Sequence, residues 1–187
     1  VYLFITGLIY SAMIKSFSER SMTSGMNMGQ PGPNVQTDLI VPYVWWMGFL
    51  MMFILPILTM RLFAEERRTG TLETLFTYPL TDAQIVGGKF LSAMTVAAMM
   101  LALSFLSVLR LAQQVTLEWN LIGMGYLGLI LVAGAFISFG IWASSLTSSQ
   151  VVAAVVTYGG LMMMWLVQVL DEMIQPIKDK LGGLSIM

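Results

Sequence analysis

Between Glu118 and Asp171 the chain runs for 52 residues, Trp119 to Leu170, without one charged side chain. A helix needs about 20 apolar residues to cross about 30 Å of hydrocarbon, so this run holds two crossings and a turn. The turn is legible at "SSLTSSQ", residues 144 to 150. Leu39 to Met60 adds 22 charge-free residues, and Phe90 to Leu109 adds 20 between Lys89 and Arg110. Val1 to Ile14 is apolar but too short by itself, which fits a first span lacking its beginning. In lipid every backbone N–H and C=O must be satisfied within the structure, which favours helices for runs of this length. The expected fold is all-α: a polytopic membrane bundle with five visible spans, the first incomplete.

Composition agrees. Hydrophobic residues make up 57% of the 187, and charged ones only 10%, where a soluble domain carries about 25%. Such a chain lacks the polar surface to face water. Its net charge of −1 includes no basic block, which argues against nucleic acid as a partner. There are no cysteines and no histidines, so disulfide frameworks, thiolate metal sites and Cys or His nucleophiles are excluded. The 17 methionines read as flexible filler of apolar packing, and no metal site is expected.

The chain opens at Val1 inside an apolar run and closes at "GGLSIM", where another run begins. It reads as a fragment of a longer protein, residues 1–187 forming one transmembrane domain. Residues 18 to 38 are rich in Gly, Pro and Asn and predict an irregular loop. Tyr43, Trp45, Trp46 and Trp119 suit a membrane interface or packing between helices. Thr81-Asp82-Ala83-Gln84 and Thr147-Ser148-Ser149-Gln150 both match the T-x-x-Q capping box that opens a helix. Pro56 predicts a kink in the second span, and Gly123, Gly125, Gly128, Gly134, Gly140, Gly159 and Gly160 predict close helix approach.

One segment is out of character. Residues 60 to 90 hold eight of the chain's nineteen charged side chains. Arg61, Glu65, Glu66, Arg67 and Arg68 keep the end of the second span in water, with Arg61 and Glu65 one turn apart. Gly70 supplies a break. Leu72, Leu75 and Phe76 then follow at i, i+3 and i+4, one face of a helix, which Pro79 ends. The segment therefore predicts a short amphipathic helix near the membrane surface. Its apolar face fits lipid headgroups, the protein's own helices or a partner's groove equally well.

The stretch "ILPILTMRLFAEERRTGTLETLFTYPLTDAQIVGGKF" closely resembles the signature of type 2 ABC transporter permeases, the six-helix membrane subunits of gliding-motility and related export systems. The resemblance rests on Pro56, Met60-Arg61, Glu65-Glu66-Arg67, Gly70-Thr71-Leu72-Glu73, Pro79, Ile85-Val86 and Gly88-Lys89. It implies that residues 64–80 form a cytoplasmic coupling element that docks on a separate ATP-binding subunit. The residues implied in that contact are Glu65, Glu66, Arg67, Gly70, Thr71, Leu72, Glu73, Leu75, Phe76 and Pro79. It also implies a sixth span and an N-terminal cytoplasmic helix outside this sequence, a second permease copy or related chain, and a prokaryotic inner membrane. ATP and Mg would sit on the partner subunit and no cofactor on this chain. Charge counting does not fix orientation: residues 61, 67, 68 and 89 give four cations on one side, and Lys15, Arg20, Arg110, Lys178 and Lys180 give five on the other.

The chemistry missing from the sequence narrows the choice. No G-x-x-x-x-G-K-[ST] phosphate loop occurs, and "GGKF" at 87–90 lacks its first glycine and its hydroxyl. The chain is thus expected to be no enzyme itself. No span carries a charged group at depth, which disfavours ion-coupled carriers. Hydroxyls occur without a base, which disfavours an intramembrane hydrolase. The expected function is the transmembrane subunit of an ATP-driven exporter. The alternative is an ATP-independent facilitator or assembly scaffold. Ser92, Thr95, Ser104, Ser107, Ser138 and Thr157 are the polar candidates for a substrate pathway, unless they merely bond their own helix backbones.

Overall fold

The computed structural model describes residues 1–26, 34–71, 81–113 and 115–184; the side chains of 24–26, 172–173 and 175–184 are not described. The described residues are helical, with no strand. The elements are α1 (Tyr2–Met26), a π-helical turn (Gln36–Ile40), α2 (Val41–Thr59), α3 (Ala64–Thr69), α4 (Asp82–Ala112), α5 (Trp119–Ser145) and α6 (Gln150–Leu184). Four stretches among them are long and apolar enough to cross a membrane: Gln36–Thr69, Asp82–Ala112, Trp119–Ser145 and Gln150–Asp171. The fifth long helix, α1, packs beside α4 and α2. Lys15, Glu19 and Arg20 in its second half lower its hydropathy.

The middle of the bundle is α2. Its residues Tyr43, Met47, Met51 and Leu55, four apart, are at most 1% exposed, a spacing that lines them up on one helix face. Against them pack Leu129, Ala133 and Ile137 of α5 and Ala93, Ala97 and Leu101 of α4. The largest helix interface is α2 with α5. It closes most tightly where Gly140 of α5 meets Thr59 of α2: a Cβ on Gly140 would overlap the threonine hydroxyl and its Cβ. The fit is repeated between Gly160 and the Phe139 ring, as expected where small residues let spans approach. Leu91, Met99, Leu103, Leu106, Leu127 and Leu131 are exposed. These outward side chains of α4 and α5 form the surface that lipid would cover.

Two expectations are corrected. Residues 18–26 are not loop, because α1 continues to Met26. Their hydroxyls serve the helix rather than break it, Thr23 Oγ1 donating to Glu19 O at 2.8 Å, and Pro31 and Pro33, which signalled the loop, come later. At the other end of that stretch the chain is helical again from the π turn at Gln36. The apolar part of the final helix ends at Asp171, as the charge-free run to Leu170 predicts, and the helix itself continues to Leu184. The second capping box is displaced: α6 starts at Gln150 with Ser149 as the capping residue. Ser149 Oγ accepts from Val152 N–H at 3.5 Å, while Thr147 Oγ1 accepts from Ser149 N–H at 3.1 Å. Thr147 shapes the turn and Ser149 caps. The first box forms as expected, Thr81 N–H donating to Gln84 Oε1 at 3.0 Å.

Pro56 lies inside a helix that stays continuous to Thr59. Three residues earlier the Tyr158 hydroxyl of α6 donates to Phe53 O, tying α6 to α2.

Candidate functional site

Where α2 ends, the backbone must turn without stranding its polar groups. Residues Arg61–Phe63 form a turn between α2 and α3. The first N–H groups of a helix have no partner within it, and Ala64 is fully buried. Ser144, near the end of α5 and also fully buried, supplies what is missing. Its Oγ accepts from Phe63 N–H and from Ala64 N–H, each at 3.1 Å, and donates to Met60 O at 3.1 Å. One hydroxyl thus serves three backbone groups of another helix–helix turn. Beside it the Arg67 guanidinium donates to Ser145 O at 3.0 Å.

The short α3 is built for a surface. Glu65 and Glu66 stand in its first turn and Arg67 and Arg68 in its last, matching the polarity of the helix dipole. Gly70 ends it in the left-handed region at φ 73°, where a residue with a Cβ is strained. The last carbonyls are taken by hydroxyls: Thr69 Oγ1 donates to Glu65 O at 2.9 Å and Thr71 Oγ1 to Glu66 O at 3.3 Å.

Lys89, two turns into α4, reaches back to this helix. Its Nζ lies 2.6 Å from Glu66 Oε2, donates to Leu62 O and stands 4.2 Å from the centre of the Phe63 ring. The lysine is largely buried and the glutamate about one third exposed. This carboxylate partner differs from the local pairing read from sequence, since Arg61 and Glu65 are both exposed while Glu66 pairs across to α4. Four segments meet at one place: the end of α2, α3, the start of α4 and the end of α5. A cleft of about 760 Å³ opens beside them. Ile85, Val86 and Gly87 of α4 and Trp142 and Ser145 of α5 line it.

Of the coupling residues expected from sequence, the structure brings Glu66 and Arg67 to this junction, sets Gly70 and Thr71 exposed at the end of α3 and leaves Glu65 facing outward. Leu72, Glu73, Leu75, Phe76 and Pro79 lie outside the described residues. Sequence reading missed Ser144 and Ser145, which were read only as turn residues. It noted Lys89 only within the family pattern. Two serines closing an apolar span just before a turn were the available signal.

The pathway hydroxyls are spread over three helices. Ser92 and Thr95 are exposed and bond Lys89 O and Leu91 O. Ser104 and Thr157 are buried and bond Leu101 O and Ala153 O. Ser138 bonds Gly134 O and lines the cleft beside the junction. Each donates to a carbonyl three or four residues back on its own helix. A second cavity of about 450 Å³ lies between α2, α5 and α6, walled by Phe49, Met52, Gly125, Gly128 and Trp165 among others. Among the described residues no group of three or more acidic side chains is placed to hold a metal ion.

No curated protein and no solved structure matches the chain. The sequence pattern described as "ABC-2 family transporter protein" does match, and it covers residues 4–181. That range includes nearly all of the bundle and the polar junction, and on it the chain belongs to the ABC-2 family of transporter proteins, as a transmembrane subunit.

Proposed function

We propose that the chain carries the movement of a separate ATP-binding subunit into the membrane, as half of a permease pair in an exporter of a prokaryotic inner membrane. The observation that supports this most directly is the junction. A load applied to α3 would pass to α4 through Glu66 and Lys89, and to α5 through Ser144 and Arg67. It would pass to α2 through the covalent turn. Individually these contacts are modest, since a single hydrogen bond contributes a net of about 0.5–1.5 kcal/mol. Together they fix the direction in which α3 can move relative to three spans. The chain has no phosphate loop, so on this reading the nucleotide is burned on another polypeptide, which docks on residues 64–80.

Affinity capture of the full-length protein from its native membrane, in mild detergent, tests the reading. The expected result is recovery of a nucleotide-binding subunit whose ATP hydrolysis depends on the permease. Gly70→Pro should reduce that hydrolysis at least severalfold. Capture without any such subunit, or hydrolysis indifferent to the substitution, overturns it and favours a facilitator that needs no nucleotide.

A further inference from the structure

The cavity of about 450 Å³ between α2, α5 and α6 lies in the half of the bundle remote from the junction. Both α2 and α5 start at that face and α6 approaches it at the end of its apolar stretch, so the lining residues can be ordered by depth. Trp45, Met124, Trp165 and Gln168 stand at the shallow end, and Met52, Phe136 and Leu161 at the deep end. Val44 to Met52 on α2 and Met124 to Phe136 on α5 bound it, lengths of about 12 and 18 Å at 1.5 Å per residue. Half of a hydrocarbon core about 30 Å thick is about 15 Å, so the cavity runs the depth of one leaflet. Its rim is open and its base closed: Met124 is 75% exposed, whereas Met52 is 3% and Leu161 2%. Gly128 of α5 also lines it, and a Cβ there would meet nothing within 4 Å. The protein's own side chains leave that space unfilled.

The lining selects the occupant. Only Trp45, Trp165 and Gln168 carry polar side-chain groups, and all three belong to the shallow end. Below them the walls are wholly apolar, and apolar cavities stay dry. Phe49 and Trp165 meet across the gap between α2 and α6, ring centres 5.9 Å apart. A helix, about 10–12 Å across with its side chains, does not pass between them. Since an apolar cavity of about 150 Å³ takes one benzene, about 450 Å³ takes roughly three times that carbon, the bulk of a single fatty-acyl chain. Long, thin, apolar and polar at one end describes a lipid tail below its ester. We propose that this cavity binds one acyl chain of a bilayer phospholipid from the leaflet remote from the junction, with the ester region at Gln168 and the indoles of Trp45 and Trp165. The bound chain joins α6, the least buried of the four spans, to α2 and α5. The site is independent of the transport reading and stands or falls without it.

The test uses the full-length protein in nanodiscs that contain a phosphatidylcholine with a diazirine midway along one acyl chain. On illumination the probe loses dinitrogen and inserts into whatever that chain touches, and peptide mapping locates the label. Met52 and Leu161 should be labelled despite their burial, whereas Met51, buried on α2 but outside the cavity, should not. Gly128→Leu places a side chain in the empty space and should lower the label on Met52 and Leu161 severalfold. The exposed Leu103 and Leu106 of α4 report ordinary lipid contact and should be labelled as before. Gln168→Leu, at an exposed position where folding is not at stake, should also lower the label at the cavity base. Label on Met52 and Leu161 no higher than on Met51 overturns the proposal, and is the result expected if a second copy covers the cavity instead. Label undiminished in either folded variant overturns it as well.

Discussion

Lys89 and Glu66 lie 23 positions apart in the sequence and 2.6 Å apart in space. Their contact closes the polar segment into a loop whose two ends belong to different spans. A charge reversal on either side should open it, leaving Lys89 or its replacement largely buried and unpaired. Glu66→Lys and Lys89→Glu are each expected to lower stability by about 1–3 kcal/mol, read as thermal unfolding in nanodiscs. The double swap should recover at least half of the loss. Absence of recovery would mean that the pair does not hold the segment.

Ser144→Ala removes one oxygen and strands two N–H donors and one carbonyl. The expected cost is about 2–4 kcal/mol, on the basis of the penalty for unsatisfied buried groups. Hydrogen exchange identifies the cause: the Phe63 and Ala64 amides should lose protection, while amides in the middle of α4 keep theirs.

Gly140 and Gly128 make a matched pair on α5. Adding a methyl at Gly140 drives it into Thr59, whereas at Gly128 nothing lies within 4 Å. Gly140→Ala should therefore destabilise by about 1–3 kcal/mol through overpacking. Gly128→Ala should be neutral or slightly stabilising, because alanine is the better helix former. Equal effects in thermal unfolding would contradict the close α2–α5 approach.

The absence of cysteine makes the topology directly readable. Arg68→Cys, exposed in α3, and Gln113→Cys, exposed just past the end of α4, lie on opposite faces of the bundle. An impermeant thiol reagent applied to intact cells is expected to label position 113 and spare position 68. Inverted vesicles should show the reverse. Labelling of both from one side would overturn the arrangement of spans.

Much of the bundle was legible because lipid imposes long, charge-free runs, and those runs locate α2, α5 and the apolar part of α6 within a few residues, while the capping box at Thr81 locates the start of α4. The misplaced end of α1 and the added length of α6 share a cause. At α1 and α6 the helix outlasts its apolar stretch, and charge marks where the bilayer stops rather than where the helix stops. At the junction, sequence could show that residues 61–89 are polar and that a family pattern runs through them. It could not show that Glu66 pairs with Lys89, nor that Ser144 reaches Phe63 and Ala64 from some eighty positions away. Those pairings depend on which spans are neighbours, a property of tertiary packing.

The length of α6 sets a boundary on shape. From Asp171 to Leu184 the helix continues for 13 more residues beyond its apolar stretch, which at 1.5 Å per residue is about 20 Å. Since α6 starts beside α3, this extension rises from the opposite face, like a mast above a deck. The two faces of the bundle are therefore held differently: the junction is tied by the Glu66–Lys89 pair and the Ser144 hydroxyl, while at the opposite face a helical post stands past the apolar stretch.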